Sequence, residues 1–186
     1  MRSLRIVGGE WRGRRLCAPK GDSTRPTADR VRESLFNILM ADVRDANVLD
    51  LFSGSGALAL EALSRGAASA TLVDVDRNAQ QTIARNIETL GAHPRAKLIK
   101  SDWHSALASF QCPFDLVFLD PPYALLDVYA QAASALAQRH LLAPGAILVM
   151  EHRATDPLVL PAQFSIFDER RYGEAKLSFV CEVPPS

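Results

Sequence analysis

The stretch Val48-Leu49-Asp50-Leu51-Phe52-Ser53-Gly54-Ser55-Gly56-Ala57-Leu58-Ala59 decides the fold. Val48–Phe52 is a short apolar run and reads as a buried strand. The glycines after it let the backbone bend sharply and approach a ligand closely. Ala57–Arg65 then has a helix pattern, stopped by Gly66. Strand, glycine turn and helix in this order open a βαβ unit, and Gly54 to Ala59 fits the G-x-G-x-x-A form of a nucleotide-binding turn. Asp74 lies twenty residues beyond Gly54, at the end of the next expected strand, where a carboxylate can grip ribose hydroxyls.

The alternation continues outward. Ala70–Val73, Ala96–Lys100, Phe114–Leu119 and Ala146–Met150 read as strands, with Arg77–Leu90, Trp103–Phe110 and Leu125–Leu142 as the helices between them. Phe114–Leu119 is a continuous apolar run of the kind buried on both faces. Phe164–Phe167 and Lys176–Val183 read as a closing antiparallel hairpin around Tyr172-Gly173. The expected fold is therefore α/β, a doubly wound, mostly parallel seven-stranded Rossmann-like sheet. Ahead of it, Leu4–Val7 and Arg14–Cys17 are short strand candidates around Gly8, Gly9 and Gly13. Thr27 is placed to cap a helix whose apolar stripe is Val31, Leu35, Ile38 and Leu39. The expected division is a small basic N-terminal arm, residues 1–44, and a Rossmann-like domain, residues 45–186.

The chain has 186 residues, 48% hydrophobic and 23% charged, which excludes a largely disordered protein. No run approaches the roughly 18 apolar residues needed to span a bilayer. The start lacks the apolar core of a signal peptide. Cys17, Cys112 and Cys181 are far apart and form no C-x-x-C pair, so reduced thiols and a cytoplasmic location are expected. His93, His104, His140 and His152 have no metal-ligand spacing, and no metal is expected.

The formal net charge of zero hides an asymmetry. Residues 1–44 hold ten basic and five acidic side chains, and nine of the ten basic ones are arginine. Arginine forks onto phosphates and stacks on bases better than lysine does. Arg5, Arg12, Arg14, Arg15 and Arg30, with Trp11 as a stacking platform, are candidates for contact with a polyanion.

Asp120-Pro121-Pro122-Tyr123 follows the buried fourth strand of the body. In an open α/β sheet the C-terminal ends of the first and fourth strands can meet at the switch point, where ligands bind. Proline has no N–H, so the turn offers carbonyl acceptors only. A carboxylate, a carbonyl and an aromatic ring on one rigid turn suit a planar group bearing an NH2. Holding both hydrogens of that amine favours a pyramidal nitrogen whose lone pair can attack a methyl carbon. The glycine turn with Asp50, Phe52, Ser55, Asp74 and Val75 asks for an adenosine-containing cofactor without choosing between nicotinamide nucleotides and S-adenosylmethionine. Asp102-Trp103, after the third strand, fits an adenine contact, and Asp102 fits a helix cap equally well.

Taken together, Asp50 to Gly56 and Asp120 to Tyr123 resemble the first and fourth motifs of class I S-adenosylmethionine-dependent methyltransferases. Arg5 to Arg14, Arg25-Pro26-Thr27, Asp29 to Asn37, Gly54 to Leu58 and Glu61 to Gly66 resemble the RsmD-type 16S rRNA (guanine-N2)-methyltransferase family. The resemblance implies that Asp50, Phe52, Gly54 and Gly56 line the cofactor, Asp74 holds its ribose, and Asp102 and Trp103 its adenine. It implies that Asp120 to Tyr123 hold the guanine, with Arg25, Thr27 and Arg30 near the methionine end or the entering RNA. Asp74 stands where the family often has glutamate, so the ribose is reached by a shorter arm. The implied partner is 16S rRNA, within a small-subunit particle, and the expected state is a monomer. Adenine N6 of DNA and a glutamine amide in protein would also suit the turn. A dehydrogenase would leave Asp120 to Tyr123 without a role, and a non-catalytic ribosome-assembly protein would use the arm alone.

Overall fold

A computed structural model describes residues 4–19, 26–122 and 125–183, so the expectations for Arg25 and Tyr123 fall outside the described residues. Seven strands form one sheet: β1 (Asn47–Asp50), β2 (Ser69–Asp74), β3 (Ala96–Lys100), β4 (Phe114–Leu119), β5 (Leu142–Arg153), β6 (Phe164–Tyr172) and β7 (Ala175–Glu182). Their spatial order is β3-β2-β1-β4-β5-β7-β6. The first five are parallel, and β7 runs antiparallel between β5 and β6. The chain leaves β1 towards β2 on one side and returns through β4 on the other. The crevice above β1 and β4 is therefore the switch point.

Helices α1 (Pro26–Val43), α2 (Ala57–Ser64) and α3 (Arg77–Leu90) share one core with alternate residues of the strands. Val48, Leu72, Phe118, Val149 and Phe179 face that layer. Helices α4 (Trp103–Ser109) and α5 (Asp127–Gln138) cover the other face, over Leu49, Val73, Leu119 and Met150. The period of two along each strand sorts neighbouring residues between the two cores.

The N-terminal segment is built into the first core. Leu4, Ile6 and Leu16 are buried with Leu35, Phe36 and Leu39 of α1. Leu4–Val7 and Arg14–Cys17 do not form regular strands; a single antiparallel bridge joins Arg5 and Arg15. Around it, Ile6 N–H donates to Arg14 O (2.9 Å) and Leu16 N–H to Leu4 O (2.8 Å). Thr27 does not stand at a cap position, because α1 already begins at Pro26, whose fixed φ suits a first turn. Three other elements differ from the sequence reading. Helix α5 (Asp127–Gln138) stops short of the expected Leu142, with His140 at φ 55° turning the chain after it. Strand β5 starts at Leu142, with a register irregularity against Phe114 and Leu116 absorbing the residues before Ala146. Strand β6 continues through polar Glu169, Arg170 and Arg171, because pairing with β7 satisfies its backbone.

Glu61 joins the segment to the body. It is fully buried on α2, the one charged residue among Ala and Leu. Its carboxylate accepts from Val7 N–H (2.8 Å) and Gly8 N–H (2.7 Å). It also pairs with Arg65 at 2.8 Å and Arg32 at 3.5 Å. Next to these contacts, Gly9 at φ 78° leaves no room for a side chain: a Cβ there would lie 1.8 Å from Ser64 O. Glu61→Ala would leave the Arg65 guanidinium and two amide donors without their buried acceptor, an expected loss of about 3–5 kcal/mol in urea unfolding. A loss below about 1 kcal/mol would place Glu61 among ordinary surface ion pairs.

Candidate active site

The glycine turn is fastened to the end of β2. Ser53 Oγ donates to Asp50 O (2.8 Å) and accepts from Val73 N–H (3.0 Å), while Ser53 N–H donates to Val73 O (3.1 Å). Asp74 Oδ2 accepts from Gly54 N–H (2.8 Å) and Oδ1 from Asp76 N–H (2.9 Å). A carboxylate has about four lone-pair sites, so Asp74 keeps acceptor capacity for ribose hydroxyls. Gly56, at φ 78°, heads α2; a Cβ there would come within 2.8 Å of Leu72. Asn86, buried on α3, supports the turn from behind. It donates to Ser55 O (2.9 Å) and exchanges hydrogen bonds with Cys17 N–H and O (2.7 and 2.9 Å).

Asp50 ends β1 with 1% exposure, and among the described residues neither carboxylate oxygen has a partner in good hydrogen-bond geometry, although the Ala59 and Phe52 N–H groups and Ser53 lie near enough to oppose part of the burial cost. Burial pushes its pKa up to about 7, and the nearby Asp74 charge adds to the rise. An orphaned buried carboxylate beneath a glycine turn suits a ligand carrying a positive charge. Val75, directly after Asp74, is 70% exposed, an apolar side chain available to the face of a planar ring. Asp102 Oδ1 accepts from Ser105 N–H (3.0 Å), capping α4 and lowering the pKa of its carboxyl. That cap uses one of its two oxygens. The Trp103 ring is buried in the α4–α5 core, so at this position the chain offers a cofactor the first backbone N–H of α4. Phe52 lies part-buried between the turn and the same core.

Asp120-Pro121-Pro122 follows β4 immediately, beside the end of β1, where Leu51 N–H donates to Phe118 O (3.2 Å). Pro121 is buried, Pro122 is exposed, and Pro122 O accepts from Leu125 N–H (3.0 Å). The two constellations thus meet at the switch point. The arginine segment divides. Arg30 is exposed on α1, and Arg5 pairs with Asp29 of the same helix (3.2 Å). Trp11 lies under the Arg95 guanidinium (5.1 Å to the ring centroid), and Trp11 N–H donates to Ser64 Oγ. Arg14 donates to Thr89 O. These contacts sit at the C-terminal ends of α2 and α3, away from the glycine turn. Arg12 and Arg15 are exposed. Thr27 lies in the first turn of α1. Glu61, Arg32 and Asn86 were not singled out from sequence. The available signals were a lone charge in an apolar helix and an Asn beside Ile83, Ile87 and Leu90 on a buried stripe.

A doubly wound sheet with an antiparallel strand inserted next to its last, and with these two turns at the switch point, defines a Rossmann-like methyltransferase fold. The chain belongs to the family described as conserved hypothetical protein 95, whose model matches residues 4–181. It is 42% identical over 174 residues to ribosomal RNA small subunit methyltransferase D of Escherichia coli, covering 92% of this chain and 86% of the relative. The protein of the same name from Haemophilus influenzae is 36% identical over 176 residues, covering 91% and 89%. The solved structure of Escherichia coli yhhF matches with a TM-score of 0.85 at 39% identity, covering 98% of this chain and 99% of that one. The sequence resemblance and these relatives agree.

A carboxyl with a raised folded-state pKa adds stability below its unfolded pKa and loses it as pH rises through the folded value. Asp50 should therefore make the unliganded protein progressively less stable between roughly pH 4 and pH 7. Asp50→Asn is expected to flatten that slope and raise the melting temperature by several degrees at mildly alkaline pH. Circular dichroism melts across a pH series check this, and parallel slopes for variant and wild type would show that Asp50 does not titrate there.

Proposed function

We propose that this protein transfers a methyl group from S-adenosylmethionine to the exocyclic N2 of a guanine in 16S rRNA of the small ribosomal subunit. The observation that carries the reading is the meeting of the glycine turn and the Asp120-Pro121-Pro122 turn at the ends of β1 and β4. The names of the relatives support the rRNA substrate class. The residues fit the cofactor. Asp50, a buried carboxyl whose oxygens have no well-aligned donor among the described residues, answers an ammonium group. Asp74 keeps acceptor capacity for ribose hydroxyls, Val75 offers an apolar face, and Asp102 with the Trp103 N–H suits the adenine edge. When bound, the cofactor supplies a methyl carbon activated by a sulfonium.

The protein's part is to hold and orient the amine. In this reading Asp120 and the Pro121 carbonyl accept the two N2 hydrogens, and Tyr123 stacks on the base. A base amine has its lone pair delocalised into the ring, and fixing both hydrogens frees it for attack. Each hydrogen bond to a charged acceptor contributes about 1.5–3 kcal/mol. Aligning nitrogen, carbon and sulfur supplies several kcal/mol more. The surplus N2 proton leaves along the Asp120 hydrogen bond. The guanine must first leave its stack, which costs a few kcal/mol and is easiest in a loop.

Asp120→Ala is expected to lower methyl transfer to small subunits by roughly two orders of magnitude or more. Calorimetry should show cofactor affinity near wild type. Nucleoside mass spectrometry reads the product, and near-wild-type transfer would remove Asp120 from the amine-holding role. In this reading Arg30 contacts phosphate. Arg30→Ala should weaken particle binding and reduce the slope of log K against log salt by about 1. An unchanged slope would exclude that contact.

A further inference from the structure

Strand β5 carries an acidic residue at the position that extends the base site sideways from β4. Parallel register pairs Phe118 with Val149 and Leu119 with Met150. Continuing it by one residue sets Glu151 beside Asp120, one strand spacing of about 4.8 Å away. The alternation of faces fixes the direction. Val149 and Phe118 face the α1 layer, and Met150 and Leu119 face α5. His152 also faces α5, stacked edge-on with Tyr129 and hydrogen-bonded to buried Ser178 (2.8 Å). Glu151 therefore faces the α1 layer. Its neighbour on β7 is Leu177, another residue of the α1-side core. Tyr172 closes the same side, its hydroxyl 2.5 Å from Ser34 Oγ of α1. The Tyr129 hydroxyl donates to Glu151 O and fixes the backbone at this point. Burial raises the pKa of the Glu151 carboxyl, the cost of keeping an acid among apolar neighbours.

We infer that Glu151 is a specificity-determining residue that accepts the N1–H of the target guanine while the Asp-Pro-Pro turn holds N2. This rests on the guanine-N2 reading above. Guanine presents adjacent N1–H and N2–H donors on its Watson–Crick edge, and two neighbouring acceptors match that pair. A purine whose N1 is an acceptor instead meets the ionised carboxylate lone pair to lone pair. Buried polar groups left facing the wrong partner discriminate far more strongly than a misfitting apolar contact.

The test uses small subunits reconstituted with 16S rRNA that carries either guanine or 2,6-diaminopurine at the modified position. Both bases have the N2 amine, and only guanine has the N1–H. The wild-type enzyme is expected to prefer guanine by roughly a hundredfold or more in kcat/KM. Glu151→Gln, whose amide can turn an N–H towards N1, should lower transfer to guanine and raise transfer to diaminopurine, narrowing the preference to about tenfold or less. A preference unchanged in Glu151→Gln, or an equal fall on both bases, would overturn the inference. So would a wild-type enzyme that accepts both bases alike. Failure of the wild type on guanine itself would instead defeat the guanine-N2 reading, and the inference with it. Calorimetric binding of S-adenosylmethionine checks that the variant is folded. If it is not, Glu151→Asp keeps an acceptor at shorter reach, and should slow guanine transfer while preserving the preference; loss of the preference there would equally overturn the inference.

Discussion

The Ser53 hydroxyl closes a small knot on which the site is hung. It donates to the Asp50 carbonyl and accepts from Val73 N–H, so the last turn of β1 is tied to β2 rather than left to solvent. Asp74 adds a second tie by accepting from Gly54 N–H. With both ends held, the chain must reverse within a few residues, and Gly54 and Gly56 take up left-handed conformations to do it. Helix α2 then starts directly over the sheet, and Asp50 is sealed beneath it. Loosening this knot would free the turn, admit water to Asp50 and remove the floor of the β1–β4 crevice together.

At its other end α2 is anchored by a different set of charges. Glu61 gathers two amide donors and two arginines where an apolar residue would satisfy none of them. This makes the first residues of the chain part of the same cooperative unit as the sheet, and it gives the basic segment a fixed orientation. Some of its arginine charge is consumed internally. Arg32 is bound to Asp29, Glu61 and Arg5 O, and Arg14 to Thr89 O. The sequence offers Arg5, Arg12, Arg14, Arg15 and Arg30 to a polyanion. Folding leaves all five exposed, with Arg5 paired to Asp29 and Arg14 to Thr89 O, and puts Trp11 under Arg95.

The parts of the fold that could be read in advance are those whose burial is periodic. Arg77–Leu90 and Phe114–Leu119 appear with the bounds their patterns imply. A helix with one apolar stripe and a strand buried on both faces each leave a local signature. Strand β6 leaves none beyond Phe167, because its later residues are polar and are held only by the partner strand. The glycine turn, Asp74 and Asp120 were legible for a chemical reason: few residue types allow that turn or those acceptors. Glu61 reaches Val7 and Gly8, and Asn86 reaches Cys17, each more than 50 positions away, and such pairings have no spacing rule.

Two carboxyls at the switch point, Asp50 and Glu151, have pKa values raised by burial, so both weaken the empty fold at neutral pH. Each would be better replaced by an amide or an apolar residue if folding alone mattered. They lie on either side of the β1–β4 crevice, Asp50 under the glycine turn and Glu151 beyond Asp120. A ligand that brings a positive charge to the first and an N–H donor to the second would recover what burial has cost. The stability given up in the unliganded protein then returns as binding energy selective for those two chemistries. Selectivity for the cofactor and for the base would thus both draw on acids whose ionisation the fold penalises.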